Sequence, residues 1–327
     1  MTLSFQEIRQ KALDGILLTR QEALAVLRLS DAELPDLLDT AYVLRKAHKG
    51  NTVGIHVLTN ARSGVCDQDC VYCAQGRASS SPIERYSFAD PKIFLDHARA
   101  GARLGIARHC IGLSGIRLDD ALVDRLCRQV ERLKEEMRTP VCCSLGFLRP
   151  GQARRLREAG VDRINHNLNT GRNFYPRICT SHSYDDRVRN IRMLQEAGFE
   201  ICSGGIAGLG EDHGDLADMF LDLANLRPHS VPVNFFLPLA GTPLASRDVR
   251  GLTPEYCLKV LCLARLLLPG ADLRCAAGRE VYLKDAQPLL FRVADTVFAS
   301  GYLTADGDSV ERTIRQIQDA GFDYRLE

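Results

Sequence analysis

The chain has 327 residues, the size of a single α/β barrel, and is long enough to bury a sizeable core. Its 42 basic and 41 acidic side chains leave a net charge of +1, which excludes a broad electrostatic attraction to nucleic acid or to an anionic membrane. No apolar run approaches the roughly 18 residues of a membrane span, and the polar start MTLSFQEIRQKALDG has no signal-peptide core. A cytoplasmic protein is expected, with neither nucleic acid nor membrane as a partner.

Residues 1–50 read as an N-terminal helical extension. Ile8, Leu13, Ile16 and Leu17 recur at helical spacing, and the segments Ala23–Leu29 and Ala32–Lys46 follow cap-like Thr19 and Ser30–Asp31. From residue 51 to 327 the pattern changes to short strand-type runs alternating with amphipathic helices. Strands are predicted near Thr52–Leu58, His109–Leu113, Val141–Leu145, Arg163–Leu168, Glu200–Ile206, Val231–Phe236, Leu273–Ala276 and Val297–Ser300. Helices are predicted near 91–104, 119–137, 150–159, 184–197, 214–225, 254–268, 283–292 and 308–320. The Ala–Gly pairs at 159–160 and 197–198 read as glycine-terminated helices leading back into a sheet. Repeated strand–helix alternation predicts an α/β fold, a (βα)8 TIM-type barrel, with an open doubly wound sheet as the other solution. In either architecture ligands bind beyond the C-terminal ends of the strands.

Twelve cysteines are many for a chain in a reducing compartment, where a disulfide framework is not expected. Three of them, Cys66, Cys70 and Cys73, form a CxxxCxxC array just beyond the first strand. Thiolates so placed can surround one iron–sulfur cube and leave its fourth iron open to a ligand. A zinc knuckle normally has a fourth protein ligand close by, and no histidine follows before His97. Asp67, Gln68 and Asp69 are too polar for a simple core segment. Further cysteines fall on other strands: Cys110, Cys142 or Cys143, Cys202 and Cys275. In a closed barrel, inward positions on different strands converge on one axis, where such thiols can hold a second metal centre. One cysteine of this kind would read as a small buried residue; four on separate strands favour a ligand set.

The cysteine array, with Tyr72 before its last thiol, resembles the radical S-adenosylmethionine (SAM) signature. That resemblance implies a [4Fe-4S] cluster on Cys66, Cys70 and Cys73 whose open iron holds SAM. Reductive cleavage of the S–C5′ bond then gives methionine and a 5′-deoxyadenosyl radical. The ordered series RHCIG, CCSLGFL, NHNLNT, CSGGIAGLGE, SVPVNFF, GTPL, RCAAGRE and GYLT resembles the biotin synthase family from about residue 50 to the end. Matched motif by motif, it implies an auxiliary [2Fe-2S] cluster on Cys110, Cys142, Cys202 and Arg274. The extra thiols Cys143 and Cys275 depart from that pattern. Neighbours on a strand face opposite sides, so Arg274 and Cys275 cannot both point inward without a bulge. An inward Cys275 as a ligand would make the auxiliary centre a larger, all-thiolate cluster.

Strand alternation puts Asn165, Asn167 and Asn169 on one face, a row of amides that both donate and accept. The resemblance assigns Asn165 and Asn167 to dethiobiotin's ureido group or to SAM, and Asn169, where many members carry aspartate, to the SAM ribose. It assigns Asn234 to the substrate and Arg187 to the SAM carboxylate. Gly205 and Ile206, in the glycine-rich turn GGIAGLGE, fall beside the adenine; alone, that turn is a weak dinucleotide signal. Cys127, Cys257 and Cys262 read as helix-core residues, and Cys179 has no evident role. The implied reaction inserts sulfur from the auxiliary cluster into dethiobiotin to form biotin. The implied partners are dethiobiotin, a low-potential electron donor of flavodoxin or ferredoxin type, the iron–sulfur assembly machinery, and a second copy in a homodimer. Two other readings remain open from sequence: a different radical SAM enzyme, such as a methylornithine synthase or a hydrogenase-maturation protein, and a non-catalytic metal or redox sensor.

Overall fold

A computed structural model describes residues 4–103, 108–137, 139–299 and 302–325. Helices α1 (Phe5–Leu13), α2 (Arg20–Leu27) and α3 (Leu34–Lys49) precede the first strand. Ser4 with Glu7 and Thr19 with Glu22 form reciprocal capping boxes at the first two, satisfying N–H groups that a helix start leaves unpaired. Ser30 opens a 3-10 turn, Asp31–Glu33, that runs into α3.

Strand and helix then alternate: β1 (Thr52–Arg62), α4 (Pro91–Arg103), β2 (Arg108–Leu113), α5 (Asp120–Glu136), β3 (Val141–Ser144), α6 (Pro150–Glu158), β4 (Arg163–Asn165) and α7 (Tyr184–Glu196). The second half runs β5 (Glu200–Cys202), β6 (Gly205–Ala207), α8 (His213–Leu226), β7 (Ser230–Phe235), α9 (Pro254–Leu267), β8 (Asp272–Cys275), α10 (Arg279–Leu283) and α11 (Gln287–Leu290). It ends with β9 (Thr296–Phe298), α12 (Val310–Asp319) and β10 (Asp323–Arg325).

All pairings among these strands are parallel, in the order β1-β2-β3-β4-β5-β7-β8-β9. Strand β9 returns to β1 through Gly54↔Thr296, Ile55↔Val297 and His56↔Phe298. That last pairing closes the barrel and excludes the open sheet. Strand β6 continues the line of β5 along β7, and β10 extends the sheet beside the start of β1.

Several elements differ from the sequence expectation. The strand predicted over Glu200–Ile206 is broken at Ser203–Gly204, where the chain crosses so close to β7 that a Cβ on Gly204 would lie 1.9 Å from the Pro232 carbonyl oxygen. The strand predicted to run to Leu168 stops at Asn165. The helix predicted over 283–292 is split into α10, a 3-10 turn and α11 around Lys284, whose φ of 47° is left-handed. Strand β10 has no apolar pattern of its own and was not expected. Residue 104 and Ser300, the ends of one predicted helix and one predicted strand, lie outside the described residues. Gly160 and Gly198 do end α6 and α7 with left-handed φ values of 98° and 81°.

The two faces of the barrel wall carry separate clusters. Ile111, Cys143, Ile164, Ile201, Cys275 and Val297 face outward into the continuous core under the helices. Leu58, Cys110, Cys142, Cys202 and Phe298 form a small inner group. Among the described residues no helix is long and apolar enough to cross a membrane.

The N-terminal end of the barrel is plugged by Arg45 of α3, which is fully buried. Its guanidinium donates to the carbonyls of Ala294 (2.9 Å), Gly50 (2.7 Å) and Thr52 (2.9 Å) and lies 3.4 Å from Asp295. Replacing it with alanine strands three carbonyls and leaves the buried Asp295 with Arg265 as its charged partner. Arg45→Ala is expected to cost about 3–5 kcal/mol of unfolding free energy, read from the midpoint of urea denaturation.

Candidate active site

Beyond the C-terminal ends of the strands lies a cavity of about 390 Å³ that reaches down into the barrel. Its mouth is formed by the loop after β1, which carries Cys66, Cys70 and Cys73, all of which line the cavity. That loop cannot be held by a sheet, so it is held by contacts with two other segments. Val71 N donates to the Ile178 carbonyl at 3.0 Å, and Val71 O accepts from Leu244 N at 3.3 Å. Ser80 N donates to the Gly241 carbonyl at 2.9 Å.

The strongest fastening is Asp69. Its Oδ1 accepts the amides of Thr180 and Ser181, each at 3.0 Å, while Oδ2 accepts the Thr180 hydroxyl. Burial opposes ionisation of this carboxyl, yet the donors from Thr180, Ser181 and Cys179 hold it well below the usual carboxylate range. Burial pushes the Cys66 and Cys73 thiols up, and the neighbouring Cys179 thiol does the same to Cys70.

Deeper in the lumen, Cys110 on β2 is level with Cys142 on β3, and Leu58 on β1 is level with Cys110. Cys202 on β5 joins them, 3.2 Å from the Asn165 amide nitrogen. Hydrogen bonding from Cys142, then Arg274, draws the Cys110 thiol below its ordinary value; the same sharing pushes Cys142 and Cys202 up. Arg274 on β8 is 2% exposed and points into this group, with its Nε unpartnered. Beneath it, Arg274 reaches Ser230 Oγ (3.0 Å) and Asp272 (3.4 Å). Asp272 also pairs with Arg163 at 3.1 Å, and Arg163 and Arg108 share Glu200 at 2.8 and 3.2 Å. Burial opposes ionisation of Asp272, but Arg274 and Arg163 keep its carboxyl well below the ordinary range.

Cys275, the next residue after Arg274, turns away. It packs in the outer core near Cys257 and Arg279 and does not line the cavity. Strand β8 is regular here, pairing Pro232↔Arg274 and Val233↔Cys275 in unbroken register, so no bulge brings both inward. The all-thiolate alternative is corrected accordingly: the inner set is Cys110, Cys142, Cys202 and Arg274. Cys143 lies on the outer face by the same alternation. Among the described residues no three His, Cys, Asp or Glu side chains converge tightly enough for a single metal ion.

Asn165, Asn167, Asn169 and Asn234 all line the cavity, as do Tyr72, Arg187 and Ile206. The asparagines share it for a reason other than strand alternation, because only Asn165 is in β4. Asn165 Nδ2 donates to Asn167 Oδ1 at 2.9 Å, and that oxygen also accepts Gly204 N at 3.1 Å. Asn169 has a left-handed φ of 73°, a conformation asparagine tolerates. Arg187 NH1 donates to the Asn167 carbonyl at 3.0 Å. Gly205 does not line the cavity; its carbonyl accepts Asn234 Nδ2 at 3.1 Å, so it orients a side chain that does. Sequence reasoning missed His166, which lines the cavity with both ring nitrogens unpartnered and Phe147 edge-on at 4.9 Å. Its place inside NHNLNT was the only signal, and alternation would have turned it outward.

A model of the radical SAM superfamily matches residues 60–223, and one of the biotin and thiamin synthesis associated domain matches 232–323. The chain is 42% identical to the biotin synthase of Geobacillus kaustophilus over 98% of its own length and 95% of the relative's. It is 38% identical to that of Rhodopirellula baltica over 98% and 88%. The chain belongs to the biotin synthase family. The fold extends to more distant solved structures. A methylornithine synthase superposes with a TM-score of 0.80 at 20% identity, covering 97% of both chains. The FeFe-hydrogenase maturase HydG of Carboxydothermus hydrogenoformans gives 0.84 at 18%, covering 98% of this chain and 79% of its own. As a radical SAM sulfurtransferase of the biotin synthase family, the protein works with a [4Fe-4S] cluster, SAM and an auxiliary iron–sulfur cluster.

The Asp69 fastening makes a prediction independent of those groups. Each charge-assisted bond it accepts contributes about 1.5–3 kcal/mol. Asp69→Ala is therefore expected to speed amide hydrogen exchange at Thr180 and Ser181 at least tenfold at pH 7. Because the folded pKa is depressed, the fastening is complete above about pH 4 and weakens as pH falls further. Exchange in the native protein, corrected for its intrinsic rate, should stay flat from pH 7 to about 5.

Proposed function

We propose that this chain converts dethiobiotin to biotin, with Cys66, Cys70 and Cys73 holding the SAM-binding [4Fe-4S] cluster and Cys110, Cys142, Cys202 and Arg274 holding an auxiliary [2Fe-2S] cluster. The observation that carries this reading is the shared cavity: three thiols at its mouth, and at its floor Cys110, Cys142 and the buried Arg274, with Cys202 packed against those two thiols. The donor sets fit the groups. Cys66, Cys70 and Cys73 are three sulfurs on one fastened loop, leaving one cluster corner for SAM. The unpartnered Nε and neighbouring thiols of Arg274 mark the floor as a site awaiting a further group.

When bound, the first cluster with SAM supplies a 5′-deoxyadenosyl radical, and the auxiliary cluster supplies the sulfur. The chain's own residues bind, orient and exclude water. Tyr72, Asn169, Arg187 and Ile206 lie where they can take SAM, with Arg187 for its carboxylate and Asn169 for its ribose. Asn165, Asn167 and Asn234 offer amides to the ureido ring, which both donates and accepts. Tyr302 and Leu303 close the cavity from the side of β9; the Leu303 carbonyl is held by Asn60 at 3.1 Å. Enclosure keeps a radical from reacting with anything except the C–H bond placed against it. The substrate carbons carry no acidic proton, which accounts for a cavity without a paired-carboxylate acid and base.

The reading extends to a cytoplasmic homodimer supplied with electrons by a flavodoxin or ferredoxin and with clusters by the assembly machinery. Anaerobically reconstituted protein given SAM, a low-potential reductant and dethiobiotin should yield biotin with about two 5′-deoxyadenosines each. Deoxyadenosine without biotin would overturn the substrate. The ligand assignment has its own test in iron content. Cys142→Ala should lose the two auxiliary irons, whereas Cys275→Ala and Cys143→Ala should hold as much iron as the unaltered protein. Loss on Cys275→Ala would overturn the [2Fe-2S] assignment.

A further inference from the structure

Ser144 on β3 and Asn165 on β4 are direct cross-strand partners, and both line the cavity. Ser144 lies two residues beyond Cys142, so strand alternation turns it to the same inner face. Its hydroxyl oxygen is 3.1 Å from Asn165 Oδ1. Asn165 Nδ2 in turn lies 2.9 Å from Asn167 Oδ1 and 3.2 Å from Cys202 Sγ. Asn167 Oδ1 lies 3.1 Å from Gly204 N. These contacts form a single run along the cavity wall.

The direction of every bond in the run follows from its last member. Gly204 N is a main-chain N–H and only donates. The Asn167 atom facing it is therefore the amide oxygen. The Asn165 atom that faces the same oxygen must donate, so it is the NH2, and its second hydrogen is directed at Cys202. The other end of the Asn165 amide is then its oxygen, which only accepts, and the Ser144 hydroxyl donates to it. What is left for a ligand is equally determined. Both Asn165 N–H bonds are used inside the protein, so that residue offers the cavity the second lone pair of its oxygen. Asn167 has its oxygen occupied twice, and its NH2 has no protein partner among the described residues. The wall thus presents an acceptor from Asn165 beside a donor from Asn167.

We propose, on the reading that the substrate is dethiobiotin, that Ser144 is a positioning residue: by donating to Asn165 it locks the amide row in one polarity, the complement of the N–H beside C=O on the edge of a ureido ring. Asn167 holds the nitrogen end of the Asn165 amide and Ser144 holds the oxygen end. Rotation about the last bond of an asparagine is soft, so an amide held at one end alone does not keep its free lone pair aligned on a ligand. Ser144 acts through Asn165 and is assigned no contact of its own with the ring.

The test is equilibrium dialysis of radiolabelled dethiobiotin against the anaerobically reconstituted holoenzyme with saturating SAM, with iron content measured on each sample. Ser144→Ala should keep its iron and bind dethiobiotin roughly tenfold more weakly. Ser144→Thr and Ser144→Val separate the hydroxyl from the space it fills, since threonine and valine have nearly the same shape. The threonine variant should bind as the unaltered protein does, and the valine variant about tenfold more weakly. Should Ser144→Ala lose iron, the threonine–valine comparison decides. Threonine and valine variants that bind alike overturn the positioning role and leave the substrate reading standing. Loss of iron from the valine variant in place of weakened binding would make the hydroxyl a support of the thiols through Cys202, and overturns the role as well. Unaltered holoenzyme that holds its iron and binds no dethiobiotin overturns the substrate reading and the proposal with it.

Discussion

Closure of the barrel is the constraint on which the rest of the structure depends. Once β9 pairs with β1, every strand has one face sealed inside, and the register decides which side chains meet there. Cys110 and Cys142 are direct cross-strand neighbours, Cys202 is brought beside Asn165 of β4, and Arg274 approaches across the lumen from β8. None of these residues is near another in sequence. A shift of one residue on any strand would send its inward side chain to the outer face and its neighbour inward. Cys143 and Cys275 show how fine that distinction is, since each sits one position from an inward residue and is packed among aliphatic side chains instead. A thiol serves there as a small apolar group.

The same alternation made much of the molecule legible from sequence. Strand and helix periodicity located the eight barrel staves, and the cysteines stood out because they recurred at strand positions. Strand ends were less legible. Asn167 and Asn169 reach the cavity from irregular backbone, where the left-handed Asn169 and the interruption at Gly204 replace the pleat as the device that aims them. Such turns depend on close approach to β7, a contact distant in sequence. His166 was missed because a period of two is the wrong rule once the strand has ended. Cys179 was unreadable for a different reason: its partners come from segments over 100 residues apart in sequence, Asp69 on one side and Ser181 and His182 on the other.

Fastening follows a division of labour between the two ends of the barrel. At the N-terminal end, Arg45 and Arg265 tie strand ends together through carbonyls and Asp295. At the C-terminal end, loops carry the candidate functional residues and are held by bonds to one another. The cysteine loop is pinned by Asp69 and by main-chain contacts to Ile178, Gly241 and Leu244. A rigid base with separately anchored loops is what allows a cavity to keep its shape while its lining is polar.

The charges beneath the auxiliary thiols complete that logic. Arg108, Arg163 and Arg274 face Glu200 and Asp272, so three cations less two carboxylates leave one positive charge. His56 adds none, because burial and then Arg274 push its imidazole well below its ordinary value and keep it neutral. A buried excess positive charge is costly unless something anionic compensates it. Beside Arg274, the groups able to become anionic include Cys110, Cys142 and Cys202. The floor is therefore built for thiolates, and Arg274, tied to Asp272 and Ser230 from below, is the member of the lattice whose unpartnered nitrogen faces them. An arginine beside three thiols, chemically odd when read from sequence, fits this charge distribution. Its charge offsets the negative charge that three thiolates would bring to a buried floor.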